Sequence, residues 1–230
     1  MQWALRGIVG LFLLCLLFPM CGCKQAAVAE PPEMIRARIQ MVADLAKTGQ
    51  ITDKRVLAAL RQVPRQVFFE PGTSVNPYSD VPVVGGPSSV LVVARALQEL
   101  GLREKQTLLV VNPPDAYAAA VGSRLCERVF VLVMLQPDAD RMRRQLRDAG
   151  IDNVHIEVCD ISEGWPSGAP YDGVIVYSAT GAVERAIVEQ CDRQCHVVVL
   201  SGPWASSMRV MRVQDEELVD PRIVQVGGRM

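Results

Sequence analysis

The first part of the folded chain carries apolar residues at a helical spacing. In three stretches the apolar side chains recur every three or four positions, which is the period of an amphipathic helix. Thr52 or Asp53 begins the second stretch and Pro64 ends it, while Gly49 and Gly101 close the other two as C-terminal caps. The predicted helices span 33–47, 54–62 and 90–100, and a proline-rich loop spans 68–86.

A second pattern begins at residue 107, where short continuous apolar runs alternate with helical stretches. Strands that are apolar on both faces and alternate with helices indicate a parallel sheet covered on each side. The predicted strands span 107–111, 129–133, 154–158, 171–177 and 196–200, the helices span 117–128, 138–148 and 181–191, and an antiparallel pair at 208–213 and 222–226 closes the sheet.

Ligands bind to sheets of this kind outside the carboxyl ends of the strands, near the point where the strand order reverses. The segments that follow the first four strands are therefore the places to search for functional side chains. These segments are 112–117, 134–138, 160–162 and 178–181.

The N-terminus is predicted to be a leader outside the fold. Residues 7–18 form an apolar run after Arg6, shorter than the roughly 20 residues of a membrane-spanning helix, which indicates a secretory signal. Residues 20–23 resemble a bacterial lipobox, with Cys23 as the lipidated residue. We expect an exported lipoprotein anchored to the membrane of the cell envelope; a soluble periplasmic protein and an uncleaved anchor are the alternatives.

This interpretation divides the chain into three parts. The predicted parts are a signal peptide over 1–22, a tether over 23–32 and one folded domain over 33–230.

Composition and charge exclude several classes of protein. Half of the 230 residues are hydrophobic and 21% are charged, so the chain can bury a core. Lys and Arg number 24 against 25 Asp and Glu, a balance without the electrostatic footprint of a nucleic-acid-binding protein. The chain has 2 His, too few for a metal site built from several histidines.

Four cysteines remain in the folded domain if Cys23 is acylated, and three roles stay open for them. They could be free thiols, or they could pair as disulfides in an exported protein. A metal site is the third role, because two of them precede His196 at a spacing of four, although no second ligand pair follows at a usual zinc spacing. The four are Cys126, Cys159, Cys191 and Cys195.

Several segments together resemble the protein-L-isoaspartate O-methyltransferase family. The resemblance runs from about Met34 to Val226, and it is carried by 49–69 (GQITDKRVLAALRQVPRQVFF), 78–82 (YSDVP), 150–154 (GIDNV) and 160–172. It implies an α/β, Rossmann-like S-adenosylmethionine-dependent methyltransferase fold with an N-terminal helical extension. It also implies methyl transfer to the carboxylate of isoaspartyl residues in a protein or peptide substrate, the first step of their repair.

The chain departs from the family in the loop after the first strand. The family has Glu-Ile-Gly-Thr-Gly-Ser-Gly-Tyr, whereas residues 110–117 read Val-Val-Asn-Pro-Pro-Asp-Ala-Tyr. Asn112, Pro114 and Ala116 replace glycines that let the backbone approach the cofactor. Proline also fixes φ and removes an N–H donor. The resemblance places Asn112, Ala116, Tyr117 and, after the third strand, Asp160 beside the cofactor.

Two more family positions have changed. Val133 stands where the family has an acidic residue for the ribose hydroxyls, and the nearest carboxylate, Asp138, is interpreted as a helix cap or as a ribose ligand. In the shortened substrate loop, Ser88 or Ser89 either replaces the family's hydroxyl residue or caps the following helix. Asp160 contacts the adenine amine or is a turn residue.

Three functions remain open on these grounds. We expect a non-catalytic exported protein on a methyltransferase scaffold. S-adenosylmethionine is the expected cofactor if the chain is active, and the absence of a cofactor is the alternative. An active isoaspartyl methyltransferase with a divergent cofactor loop is the second hypothesis, and a protein that acts on another ligand in the same crevice is the third. A serine hydrolase is disfavoured, because the chain has no Gly-x-Ser-x-Gly elbow and His155 lies within a predicted strand.

Overall fold

The computed structural model describes residues 30–79 and 87–226. The predicted signal peptide over 1–22, the lipidation site at Cys23 and most of the tether lie outside these residues and stay predictions. Across 30–79 and 87–226, none of the helices has both the length and the apolar character that a bilayer span requires.

Helices and strands occur in the predicted order. They are α1 Pro32–Lys47, α2 Lys54–Gln62, α3 Val90–Leu100, β1 Thr107–Val111, α4 Tyr117–Gly122, β2 Arg128–Val133, α5 Gln136–Asp148, β3 Val154–Val158, β4 Tyr171–Tyr177, α6 Arg185–Glu189, β5 Cys191–Ser201, β6 Ser207–Gln214 and β7 Glu217–Gln225. The sequence missed a short 3-10 turn at Arg65–Phe68, between α2 and the proline-rich loop.

The strands form a seven-stranded sheet in the order β3-β2-β1-β4-β5-β6-β7. Strands β1 to β5 run parallel, and β6 and β7 add to the edge as an antiparallel pair. The strand order reverses between β1 and β4, which places the expected ligand crevice at the carboxyl ends of these two strands. The α/β class and the closing antiparallel pair are confirmed.

The centre of the sheet is buried on both faces, as the continuous apolar run of β1 predicts, whereas β3 and β7 at its edges are partly exposed. All five residues of β1 are buried. Leu108 and Val110 pack in one cluster with side chains of α1 to α5. Leu109 and Val111 face the opposite cluster, to which α6 contributes. The N-terminal helices therefore cover the same face of the sheet as α3 to α5.

The contact between α4 and β1 depends on a glycine. A Cβ atom at Gly122 would clash with the Leu108 Cδ2 atom, so a larger residue would require the Leu108 side chain or the helix to shift. This glycine therefore lets the end of α4 pack closely against the start of β1.

Two predicted helices are too long. Helix α4 ends at Gly122 instead of 128, because the next residues turn through bonds from Arg124 N–H to the Val121 carbonyl (3.1 Å) and from Leu125 N–H to the Gly122 carbonyl (2.8 Å). Helix α6 covers 185–189 instead of 181–191, because Cys191 already pairs with Tyr171 in the sheet. Sheet pairing thus overrides the local helical pattern at the end of α6, and a turn does so at the end of α4.

Candidate ligand-binding crevice

A crevice of about 640 Å³ opens at the carboxyl ends of β1, β4 and β5. Its volume lies in the range of small-molecule sites. Hydroxyl, amide and charged side chains mix with apolar ones in its wall, and the lining residues are Glu70, Pro87, Ser88, Ser89, Asn112, Pro113, Pro114, Asp138, Arg141, Tyr177, Ser178, Ala179, Leu200, Ser201, Gly202 and Ala205.

The loop after β1 keeps a left-handed residue at its start. Asn112 has φ of 50°, a conformation that asparagine tolerates better than other non-glycine residues. Its backbone N–H donates to the Leu132 carbonyl at 2.8 Å, which ties the loop to β2. Pro113 and Pro114 follow and line the crevice without any N–H to offer a ligand.

Asp115 places a buried carboxylate behind this wall, with 3% of the residue exposed. Its Oδ1 atom accepts the Tyr117 N–H at 2.6 Å. Its Oδ2 atom accepts the Ser88 N–H at 2.9 Å and lies 3.2 Å from the Ser88 hydroxyl. Burial raises the pKa of Asp115 above its ordinary 3.8, against these hydrogen bonds and the charge of Arg65.

Ser88 and Ser89 have different roles. Ser89 is the N-cap of α3 and accepts the Val92 N–H at 3.4 Å, so the capping interpretation holds for this residue. The Ser88 hydroxyl lies between the Asp115 carboxylate and the Tyr177 hydroxyl, which is 3.3 Å away. The Ser88 hydroxyl donates to the Asp115 carboxylate, either hydroxyl of the Ser88–Tyr177 pair can be the donor, and burial raises the pKa of Tyr177.

Arg65 is buried behind the crevice, with 1% of the residue exposed. Its Nε atom donates to the Pro77 carbonyl and its Nη1 atom donates to the Ser88 carbonyl, both at 2.7 Å. The guanidinium also lies 4.9 Å from the centre of the Tyr117 ring. Arg65 of the N-terminal extension thus contacts Pro77, Ser88 and Tyr117, which belong to three separate segments around the loop after β1.

Two residues that the resemblance places at the cofactor lie outside the lining. Ala116 and Tyr117 are fully buried. The Tyr117 ring contacts Phe68 with 5.4 Å between ring centres, and its hydroxyl has no hydrogen-bond partner among the described residues. Burial raises the pKa of Tyr117 to about 12. Both residues pack beneath the loop.

The prediction that Asp138 caps a helix is wrong. Helix α5 begins at Gln136, with Leu135 as N-cap and Pro137 in the first turn, where proline is favoured. Asp138 instead lines the crevice and forms an ion pair of 2.7 Å with Arg141. Arg141 also donates to the Pro114 carbonyl at 3.2 Å, so this cation is already engaged on two sides.

The end of β2 is apolar in the structure as well. Val133 is buried, and it is followed by Met134 and Leu135 with 55% and 59% of their surfaces exposed. Exposed apolar side chains therefore stand where the resemblance implies an acidic residue for ribose hydroxyls.

Asp160 forms a turn after β3. Its Oδ1 atom accepts the Ser162 N–H at 2.9 Å and the Ser162 hydroxyl at 2.7 Å, and these bonds lower the pKa of the carboxyl. Asp160 is exposed and does not line the crevice, so the turn interpretation accounts for all of its contacts. Its contact with an adenine amine stays a prediction.

The four cysteines of the described chain are free thiols: Cys126, Cys159, Cys191 and Cys195. Burial raises the pKa of the Cys126 thiol to about 12, which makes it unreactive. Within 30–79 and 87–226, no group of three or more His, Cys, Asp or Glu side chains is arranged to hold a metal ion.

The family model for protein-L-isoaspartate(D-aspartate) O-methyltransferases matches residues 36–225, from α1 to the end of β7. The chain belongs to this family. The resemblance found in the sequence is thereby confirmed.

Individual isoaspartate methyltransferases agree with this assignment. The enzyme of Parvibaculum lavamentivorans is 35% identical over 200 residues, which cover 81% of this chain and 90% of that protein. The enzyme of Aromatoleum aromaticum is 36% identical over 160 residues, with coverage of 67% and 73%.

Solved structures support the fold. A protein-L-isoaspartate O-methyltransferase superimposes with a TM-score of 0.66 at 20% identity, over 83% of this chain and 66% of that one. A putative member from Plasmodium falciparum, in complex with S-adenosyl-L-homocysteine, gives 0.61 at 12% identity, over 83% and 95%. The Rossmann-like methyltransferase fold is therefore confirmed.

The family uses S-adenosylmethionine, whose carboxylate needs N–H groups or a cation as partners. Among the described residues, these partners of the crevice are engaged or missing. Pro113 and Pro114 supply no N–H, the Ser88 and Tyr117 amides donate to Asp115, and Arg141 is paired with Asp138. The described residues of the crevice therefore do not fit the carboxylate of this cofactor.

Sequence reasoning missed three residues of this arrangement. Arg65 and Asp115 stood inside the segments compared with the family, and Tyr177 stood at the end of a predicted strand. A charged residue directly after two prolines in a crevice loop was the available signal for Asp115. No local pattern marked Arg65, because its partners are 12 and 23 residues away in the chain.

Proposed function

We propose that this protein is a non-catalytic member of the isoaspartate methyltransferase family, which binds a ligand in its crevice without transferring a methyl group. The observation that carries the proposal is the loop after β1, where Pro113 and Pro114 lack N–H groups and the Asp115 carboxylate engages the Ser88 and Tyr117 amides. A protein that transfers a methyl group from a sulfonium contributes mainly the alignment of donor and acceptor. Loss of the groups that hold the donor therefore removes the main source of catalysis.

The proposal includes export to the cell envelope. It is supported by the apolar run over 7–18 and by the lipobox-like sequence that ends at Cys23. An exported protein also works away from the cytoplasm, where S-adenosylmethionine is made. The test is labelling of cells with a palmitate analogue: the wild-type chain is labelled and Cys23→Ser is not. Absence of label on the wild type contradicts the lipid anchor.

A second candidate function is active repair of isoaspartyl residues with S-adenosylmethionine. It is favoured by Asn112, whose φ of 50° keeps the left-handed conformation expected of a glycine loop. It is also favoured by relatives such as the enzyme of Parvibaculum lavamentivorans, which bear the name of the active enzyme. The crevice volume of about 640 Å³ is large enough for a nucleoside derivative.

One experiment separates the two functions. Isothermal calorimetry measures S-adenosylmethionine binding to the full chain in mild detergent, and a parallel assay measures methyl incorporation into an isoaspartyl peptide. The Parvibaculum lavamentivorans enzyme is the positive control. Incorporation by the full chain, at a rate within the range of the control, overturns the non-catalytic proposal. Absence of incorporation supports it, with or without binding of the donor.

A multiple variant tests whether the loop is the cause. Asn112→Gly, Pro113→Thr, Pro114→Gly, Asp115→Ser and Ala116→Gly together restore the family's residues at 112–116. If the loop alone abolishes donor binding, the variant binds S-adenosylmethionine more tightly than the wild type. Equal affinity of the two proteins assigns the loss to another part of the crevice, such as the apolar end of β2.

A further inference from the structure

Asp115 supplies an internal anion at the place where an anionic ligand group would otherwise find its partners. The carboxylate bridges two segments that are 27 residues apart, because it accepts the Ser88 N–H at 2.9 Å and the Tyr117 N–H at 2.6 Å. Ser88 lies directly before the N-cap of α3, and Tyr117 is the first residue of α4. In this chain both amides are satisfied from within the protein.

Among the described residues, the rest of the crevice wall has no free cation that could pair with a ligand carboxylate. Arg141 is the cation in the described lining, and it binds Asp138 at 2.7 Å and the Pro114 carbonyl at 3.2 Å. Arg65 lies behind the wall and directs its donors to two backbone carbonyls. Pro113 and Pro114 add no donor.

The charged side chains of the described lining leave an excess of negative charge. They are the carboxylates of Glu70 and Asp138 and the cation of Arg141, and Glu70 forms no ion pair among the described residues. The hydroxyl groups of the same wall are neutral and can donate or accept. The charge balance of the wall, with the Asp115 carboxylate behind Ser88, therefore favours a neutral or cationic ligand over one that carries a carboxylate.

We propose that the crevice selects a nucleoside-sized ligand that is neutral or cationic and carries no carboxylate, with Asp115 as the residue that determines this specificity. The inference rests on the proposed function, because it names the ligand class of the same non-catalytic crevice. Asp115 acts through Ser88 and Tyr117 and is a positioning residue in this role.

A pair of compounds that differ in a single carboxylate tests the proposal. S-adenosylmethionine and its decarboxylated form are titrated into the full chain in mild detergent. We expect the decarboxylated compound to bind about tenfold more tightly or better, because an unpaired carboxylate is costly in a part-buried site. Equal affinity, tighter binding of S-adenosylmethionine, or no binding of either compound overturns the proposal.

A second pair of probes tests the same specificity without a sulfonium charge. 5′-Methylthioadenosine lacks the amino-acid portion that S-adenosylhomocysteine carries. We expect 5′-methylthioadenosine to bind the wild type more tightly, and the reverse order overturns the proposal. This comparison needs no variant, so it stands even where substitutions in the loop impair folding.

The variant Asp115→Ser assigns the specificity to this side chain. A serine hydroxyl can still accept the Tyr117 N–H and leaves the Ser88 N–H open to a ligand. We expect S-adenosylmethionine binding to tighten about tenfold while the affinity for the decarboxylated form changes less. The matched control, Asp152→Ser, changes an exposed aspartate before β3 and keeps the wild-type preference. An unchanged preference in folded Asp115→Ser overturns the role of Asp115.

These outcomes also separate the inference from the proposed function. S-adenosylmethionine binding with methyl incorporation overturns both. Binding of S-adenosylmethionine at least as tight as that of the decarboxylated form, without incorporation, overturns only the ligand preference, and so does the absence of binding by either compound of the first pair.

Discussion

Asp115 and Asp160 follow parallel strands at the same edge of the sheet, yet the structure uses them in opposite ways. Asp115 is 3% exposed and burial raises its pKa. Asp160 is exposed, and hydrogen bonds from Ser162 lower its pKa. Each carboxylate accepts a backbone N–H and faces a serine hydroxyl, so the local hydrogen bonds are alike.

The difference between the two carboxylates comes from distant segments. Ser162 is two residues from Asp160, so that turn forms from its own sequence. Ser88 is 27 residues from Asp115, and Arg65 lies on the N-terminal extension. These segments bury Asp115 behind the crevice wall, whereas Asp160 stays in an exposed turn.

The largest expected effect follows from removing the cation that compensates the buried carboxylate. Arg65→Met leaves Asp115 without a nearby positive charge and the Pro77 and Ser88 carbonyls without donors. We expect a loss of about 3–5 kcal/mol in the free energy of unfolding, the usual cost of breaking a buried charged arrangement. Urea denaturation measures it. Arg61→Met, at an exposed site on α2, is the control, and an equal loss in both variants contradicts the role of Arg65.

Truncation of the buried carboxylate has the next largest effect. Asp115→Ala leaves the N–H groups of Ser88 and Tyr117 unpaired in a buried site, so we expect a loss of about 1–3 kcal/mol. The same urea series measures it, with Asp152→Ala as the exposed control. A stability equal to that of the wild type indicates that water or another group replaces the carboxylate.

The pH dependence of stability provides a sharper comparison. Because folding raises the pKa of Asp115, the native state holds more protons than the unfolded state, and stability falls as pH rises from about 3.8 through the folded pKa. Asp115→Asn removes this contribution, so the stability of the variant relative to the wild type increases with pH over that window.

Asp160→Asn shows the opposite sign. Folding lowers the pKa of Asp160, so the ionised carboxylate stabilises the wild type above pH 3.8. This contribution to the free energy of unfolding is lost as pH falls through the folded pKa. Denaturant titrations at about five pH values between pH 3 and pH 8 measure the free energy of unfolding of both variants and the wild type. Parallel curves for the two variants contradict the assigned environments.

Truncation of the exposed carboxylate has the smallest effect. Asp160→Ala loses a surface turn contact in which water replaces the carboxylate, so we expect a change in melting temperature smaller than that of Asp115→Ala. Differential scanning fluorimetry compares the two. A larger loss in Asp160→Ala assigns the turn after β3 a structural role that its exposure does not suggest.

Much of the fold was predictable because its signals are local. The limits predicted for β1, β3 and β4 coincide with the observed strands, and α2 and α3 have the predicted limits. The limits of α4 and α6 were wrong, since turn hydrogen bonds end α4 at Gly122 and strand pairing of Cys191 ends α6. The family was predictable as well, because its motifs are spread over most of the chain.

The site was predictable only in part. Asn112 was expected to tolerate the left-handed conformation and does so with φ of 50°. Ser88 and Ser89 were paired as alternatives, whereas the structure separates them into a crevice hydroxyl and a helix cap. The partners of Asp115 and Arg65 could not be derived from spacing, because they come from elements that meet only in the folded protein.

The sequence by itself determined the α/β class, the order of the strands along the chain, the family and the loss of glycine from the loop after β1. Periodicity and glycine replacement are properties of neighbouring residues, and they can be identified without coordinates. The tertiary structure decided that Asp115 is buried, that Arg65 lies behind it and that Asp138 is paired with Arg141. Burial and charge pairing depend on segments far apart in the chain, so only the folded protein determines which carboxylate meets the ligand crevice.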